Sequence, residues 1–213
     1  MPDSILREGP LARLRRGSSG NMPWQRTQVN GTDGSAGAGL IVREEAFLGH
    51  LNLRGKSEDP QFAGAVGGVI RDGLPIVANT LTELNGVTMY WLGPDEWLIV
   101  TPDESRKGIE RDLRRALASQ HFALTDVSGG QTALHLHGSR VRDVLAKGCP
   151  IDFHPRAFGI GQCAQSHLGK APMLIGQIEE QPHFELIVRR SFAEYMWTWL
   201  EAAAEEYGME AGA

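Results

Sequence analysis

One ordering of elements occurs twice in this 213-residue chain, and it limits the available folds more than any single motif does. Phe47 to Leu53 reads as a strand. Ser57 can cap a helix in which Phe62, Val66, Val69 and Ile70 form one apolar stripe, weakened by Gly64, Gly67 and Gly68. Gly86 to Leu92 and Glu96 to Val100 are β-rich runs joined by the turn residues Gly93, Pro94 and Asp95. Thr101 to Glu104 then offers an N-cap Thr, a Pro at the first helical position and a Glu for a capping box. Ile109, Leu113 and Leu117 give the helix that follows its buried face.

From Gln131 the order returns. Gln131 to Leu136 is a strand, Ser139 caps a helix whose Val141, Val144 and Leu145 face inward, and Gly148 stops it. Ala164 to Ile178 is β-rich with a break at Pro172, and Phe184 to Val188 is the counterpart of Trp97 to Val100. Ser191 and Glu194 form a second capping box, before a last helix with Phe192, Tyr195, Met196, Trp199, Leu200 and Ala203 at helical spacing. Strand, helix, strand, strand, helix, twice over, predicts an α+β fold of two ferredoxin-like halves, about 45–120 and 125–207. The link from Phe122 to Ser128 is short, so the halves are expected to share a single compact domain over 41–213.

Residues 1–40 read as an extended N-terminal arm with a Gly-rich segment, Asn30 to Gly39. The arm carries Ile5, Leu6, Leu11, Leu14 and Trp24 in a polar context. It packs either on a neighbouring subunit or on its own domain, because termini stay mobile unless something ties them down. Asp3, Glu8 and the lack of a sustained apolar run argue against a targeting signal.

Charge and cysteine content exclude several function classes. Asp and Glu number 26 against 21 Lys and Arg, a balance without the basic excess that phosphate neutralisation on nucleic acid requires. No apolar run approaches the roughly 20 residues that cross a bilayer. Two cysteines, Cys149 and Cys163, imply no disulfide framework and are consistent with a reducing cytoplasm.

Four residues of zinc-ligand type, Cys149, His154, Cys163 and His167, are spaced C-x4-H and C-x3-H, which matches no recognised zinc pattern. They read as a buried thiol beside a helix stop and surface histidines. His135 and His137 share one face of a strand, and two residues do not complete a coordination sphere, so they read as a solvated or partner-facing edge. Ser128, beside Gly129 and Gly130, lies outside any G-x-S-x-G elbow, and Gly64 to Gly68 matches neither phosphate-binding fingerprint. No catalytic, cofactor-binding or metal-binding residue is therefore assigned. Trp197 is different: it lies about 130° from the centre of the apolar stripe of the last helix, at about 100° per residue. With Leu11, Leu14 and Trp24 it makes a set of candidate subunit-interface residues, since aromatics are enriched at interfaces.

Several segments, in order, resemble one family. They are Trp91 to Leu98, Gln131 to Leu134, Gly138 to Arg140, Val144 to Asp152, Gly161 to Gln165, Lys170 to Pro172 and Phe184 to Tyr195. Together they resemble the gamma subunit of bacterial heterotetrameric sarcosine oxidase, well over Met89 to Tyr207, thinly over Phe47 to Val87, and not in the first 40 residues. The resemblance implies a fold like the folate-binding region of aminomethyltransferases. It implies alpha, beta and delta partner subunits in a cytoplasmic flavoenzyme of sarcosine catabolism. Such an enzyme demethylates sarcosine oxidatively to glycine and hydrogen peroxide, passing the one-carbon unit to tetrahydrofolate. It places FAD, FMN and NAD on the larger subunits and zinc on delta, with no cofactor and no catalytic residue in this chain. The gamma subunit of N-methylglutamate dehydrogenase and a free-standing folate-binding protein of the aminomethyltransferase type are the alternatives. A stand-alone enzyme would need activity without partners.

Overall fold

The computed structural model of the chain describes residues 8–12 and 37–211. The elements make a mixed α/β fold with two sheets. The first sheet contains β2 (Gly49–Arg54), β3 (Leu81–Leu84), β4 (Val87–Gly93), β5 (Glu96–Thr101) and β6 (Ala123–Asp126), in the order β3-β4-β5-β2-β6. The second contains β1 (Leu40–Glu45), β7 (Gln131–His137), β8 (Cys163–Leu168), β9 (Ala171–Glu179), β10 (His183–Arg189) and β11 (Met209–Ala211), in the order β11-β1-β7-β10-β9-β8. The helices are α1 (Pro60–Ile70), α2 (Asp103–Ala116), α3 (Val141–Ala146) and α4 (Ala193–Ala203). Each half therefore runs strand, helix, three strands, helix, strand. The second sheet differs by the insertion of β1, which pairs antiparallel with β7 and parallel with β11.

Strand alternation sorts the buried residues into three layers. In β5, Trp97 and Ile99 face α1 and α2 and pack with Phe62, Val66, Leu113 and Leu117, while Leu98 and Val100 face the other sheet. In β10, Phe184, Leu186 and Val188 face α3 and α4, while Ile187 points between the sheets. The order of layers is thus helix, sheet, sheet, helix. Trp97 is fully buried, and its indole N–H donates to the Pro75 carbonyl at 2.8 Å, so its one polar atom is satisfied. Gly176 lets the sheets close on each other, because a Cβ there would overlap Leu81 and the Tyr90 ring. At one corner the sheets are stitched by backbone: Leu81 N–H donates to Gly161 O at 2.8 Å and Cys163 N–H to Asn79 O at 2.9 Å.

Four strands were not anticipated, β11 at Met209–Ala211 among them. β3 is short and buries only Leu81, β6 lies in the segment read as a link, and β1 follows directly on the Gly-rich segment. Helix starts also differ. Asp59, not Ser57, caps α1 by accepting from Gln61 N–H at 2.9 Å, and the Ser57 hydroxyl donates to Pro94 O. Thr101 stays in β5, paired with Gly49, so α2 starts after Pro102 with no side-chain cap. Arg140 and Phe192 precede α3 and α4, without caps from Ser139 or Ser191, and Ser191 lies in a 3-10 turn, Arg190–Phe192.

Two candidate interface residues are corrected by burial. Trp197 is only 5% exposed and packs with Met196 and Leu200 in the core between α4 and the second sheet. The face that α4 buries runs through Ala193, Met196, Trp197, Leu200 and Ala204, because small residues let the helix approach the sheet. Tyr195 and Trp199 occupy the flank instead: Tyr195 Oη accepts from Lys170 N–H, and the Trp199 ring lies where a side chain at Gly148 would be. Leu11 is 1% exposed in the same core, and Arg190 Nη2 donates to Glu8 O at 3.1 Å beside it. At Leu11 the arm packs on its own domain. Leu14 and Trp24 lie outside the described residues. Among the described residues no helix is long and apolar enough to cross a membrane.

Candidate functional site

The sheet–sheet layer is apolar where Tyr90, Leu98, Val100, Leu174 and Ile187 meet, and it opens at one end into a cleft of about 350 Å³. The second sheet supplies Arg43, Glu45, His135, Ile178, Glu179 and Glu185 to this cleft. The first sheet and its connections supply Leu48, Glu83, Gly86, Thr88 and Val100. The register explains the grouping: Arg43 and Glu185 flank His135 on either side, and His137 pairs across to His183.

Three histidines gather there. His135 Nδ1 and His183 Nε2 are 2.9 Å apart, one donating to the other, and the His137 and His183 rings lie 5.6 Å apart. His183 Nδ1 is 3.4 Å from Glu179 Oε1. Burial, reinforced by His183 and Arg43, pushes the His135 pKa down to about 4, and burial also lowers that of His183. Both rings are therefore neutral at pH 7. The pair read as a solvated edge stands on a central strand, because β1 covers one side of β7 and β10 the other.

Glu185 is the least expected member. It is 4% exposed, and its Oε1 has no hydrogen-bond partner among the described residues. Burial raises its pKa to about 7, with Glu45 and Glu83 adding to the effect. The neighbouring Tyr90 hydroxyl pulls the other way, but its contact with the carboxylate falls short of good hydrogen-bond geometry. Burial likewise holds the Tyr90 hydroxyl protonated, well above its ordinary range. A Glu inside the strand Phe184 to Val188 was the available signal, since alternation sends it to the face opposite Phe184 and Leu186.

The sequence candidates do not converge. Cys149 lies in the helix–sheet core and Cys163 on the sheet–sheet side, where burial pushes its thiol up to about 12. His154 and His167 are exposed. Among the described residues no three His, Cys, Asp or Glu stand in a metal-holding arrangement. Ser128 closes a turn: its hydroxyl lies 2.5 Å from Asp126 Oδ1, donating to it, and accepts from His50 N–H at 2.8 Å. The buried His50 ring makes no hydrogen bond to it, so the three residues form no nucleophile–base pair. Gly64 to Gly68 lies inside α1.

A model of the sarcosine oxidase, gamma subunit family matches residues 54–206, beginning well before Met89, where the resembling motifs start. The chain belongs to that family. Among gamma-subunit relatives, "Sarcosine oxidase subunit gamma" of Corynebacterium sp. (strain P-1) is 32% identical over 178 residues, 83% of this chain and 86% of its own. The protein of the same name from Arthrobacter sp. is 33% identical over 82% of this chain and 84% of its own. A chain of the solved heterotetrameric sarcosine oxidase from Corynebacterium sp. U-96, in complex with pyrrole 2-carboxylate, superposes with a TM-score of 0.79 at 28% identity. That superposition covers 94% of this chain and 96% of the other. Aminomethyltransferase T of the glycine cleavage system from Bartonella henselae shares the fold, with a TM-score of 0.62 at 12% identity over 82% of this chain and 48% of that one. The gamma-subunit family and the aminomethyltransferase-like fold thus agree with the resemblance carried by the motifs.

Proposed function

We propose that this chain is a non-catalytic gamma subunit of a cytoplasmic heterotetrameric sarcosine oxidase. The observation that carries the reading is the near end-to-end superposition on a chain of such an enzyme, together with the family match over residues 54–206. In this reading alpha, beta and delta chains are its partners. They carry FAD, FMN, NAD and zinc, and the assembly converts sarcosine to glycine and peroxide while passing the one-carbon unit to tetrahydrofolate. Each half of the chain reads as an elaborated ferredoxin-like unit: without β3, the first sheet has the order β4-β5-β2-β6 reversed to β6-β2-β5-β4, the arrangement of a strand–helix–strand–strand–helix–strand motif. Leu14 and Trp24 of the arm remain the proposed points of subunit contact.

The isolated chain tests the division of labour. Purified alone, it is expected to hold no flavin, to form no peroxide from sarcosine and to bind no tetrahydrofolate on titration. Peroxide formation by the chain alone would overturn the reading, and stoichiometric tetrahydrofolate binding would favour the free-standing folate protein instead.

A further inference from the structure

We propose that the cleft at the open end of the sheet–sheet layer binds a small protonated amine, with the Glu185 carboxylate as its buried counter-ion. The inference does not rest on the subunit reading. It begins from an unmet requirement: a buried carboxylate oxygen without a donor costs free energy that a ligand N–H can recover. Glu185 Oε1 is such an oxygen, and Glu185 is among the residues that line the cleft.

The surroundings fix the sign of the ligand. Glu45, Glu83, Glu179 and Glu185 line the cleft against one guanidinium, Arg43, which is paired with Glu45 at 2.9 Å. His135 is neutral at pH 7 and adds no positive charge. Anions are therefore disfavoured. A bare divalent ion is disfavoured too, since it needs six or more oxygens in the calcium case, and no metal-holding group of three occurs among the described residues. The volume, about 350 Å³, lies at the lower end of the range for small-molecule sites.

Groups from every neighbouring strand face Glu185: Arg43 and Glu45 from β1, Glu83 from β3, Tyr90 from β4, His135 from β7, Glu179 from β9 and His183 on its own strand. Within this set Glu185 is the carboxylate whose pKa is raised to about 7. A cation binds its ionised form, so affinity must rise as pH passes through that value. Taking that midpoint, affinity should rise about tenfold from pH 6 to pH 8.

The test is calorimetric titration of the full-length chain at constant ionic strength, with methylammonium, tetramethylammonium and sodium chlorides as probes. Methylammonium is expected to bind saturably at pH 8, about tenfold more weakly at pH 6, and not at all to Glu185→Gln. Tetramethylammonium, which has no N–H, should show no saturable heat. Absence of methylammonium binding, equal binding by tetramethylammonium or sodium, or unchanged affinity in Glu185→Gln would each overturn the proposal. Should Glu185→Gln fail to fold, the Glu45→Gln and Glu83→Gln variants decide with the pH comparison. Several-fold weaker binding in either variant, together with the pH dependence, upholds the site, and unchanged affinity in both, or no pH dependence, rejects it.

Discussion

Between helix and sheet, the buried side chains of Glu44, Thr132, Gln177 and Trp97 are paired. The Thr132 hydroxyl donates to Glu44 at 3.2 Å, Arg142 donates to Gln177 at 2.7 Å and to Phe158 O at 3.0 Å, and the Trp97 indole reaches Pro75. Between the two sheets the pattern is reversed. His50, Tyr90 and Glu185 are each nearly or fully buried, and each has a side-chain atom without a hydrogen-bond partner among the described residues. The outer layers follow ordinary core chemistry. The middle layer carries groups that stability alone does not explain, and on these the proposed amine site rests.

The largest expected effect tests the outer layers. Trp97→Ala and Trp197→Ala each delete a buried indole, so each should destabilise the isolated chain by about 3–5 kcal/mol in denaturant unfolding. Trp197 is the sharper case, since a surface tryptophan would cost almost nothing, and a loss below about 0.5 kcal/mol would return it to the surface.

The second effect separates the middle layer by pH. Glu185 has a folded pKa near 7 against an ordinary value of 4.5, so between those values the folded state holds a proton that the unfolded state has lost. Its contribution to stability is therefore intact below about pH 4.5 and is lost as pH rises through about 7. His50 and His135 work in the opposite sense: both are held near 4, below the ordinary 6.5, so they favour folding increasingly as pH rises across that window. Subtracting the unfolding free energy of the wild type from that of Glu185→Gln isolates the carboxylate. The variant should gain on the order of 2–3 kcal/mol relative to wild type between pH 4 and pH 8. A difference that does not change with pH would mean that Glu185 is solvated and that the contrast between layers is false.

The smallest effect concerns the closeness of the sheets. Gly176→Val places a branched side chain against Leu81 and Tyr90, and overpacking of this kind costs about 1–3 kcal/mol. A neutral result in thermal unfolding would show that the sheets separate easily, and that the cleft beside them is not preformed.

The contrast between layers also explains what was legible in the sequence. The apolar stripe of α1 and the β-rich runs of β4, β5, β7 and β10 announced buried elements, since apolar content and burial coincide there. The stripe of α4 misled because large residues lie on two faces and the buried face is completed by Ala193 and Ala204, which carry little weight in a hydrophobic pattern. The strand β1 was hidden because Arg43 and Glu45 point into the polar cleft, so half of it resembles surface. The cleft draws on both sheets, and no local spacing connects Glu83, His135 and Glu185. The family, by contrast, was readable from ordered motifs, because these are properties of the chain itself rather than of contacts across the fold.

The subunit assignment is tested most directly by co-expressing this chain with candidate alpha, beta and delta chains and measuring the native mass of what co-purifies. The account predicts one complex containing a single copy of each of the four chains, with sarcosine-dependent peroxide formation in the complex and none in this chain alone. Recovery of an active three-chain enzyme from which this chain is absent, in preparations where it is folded and abundant, would contradict it.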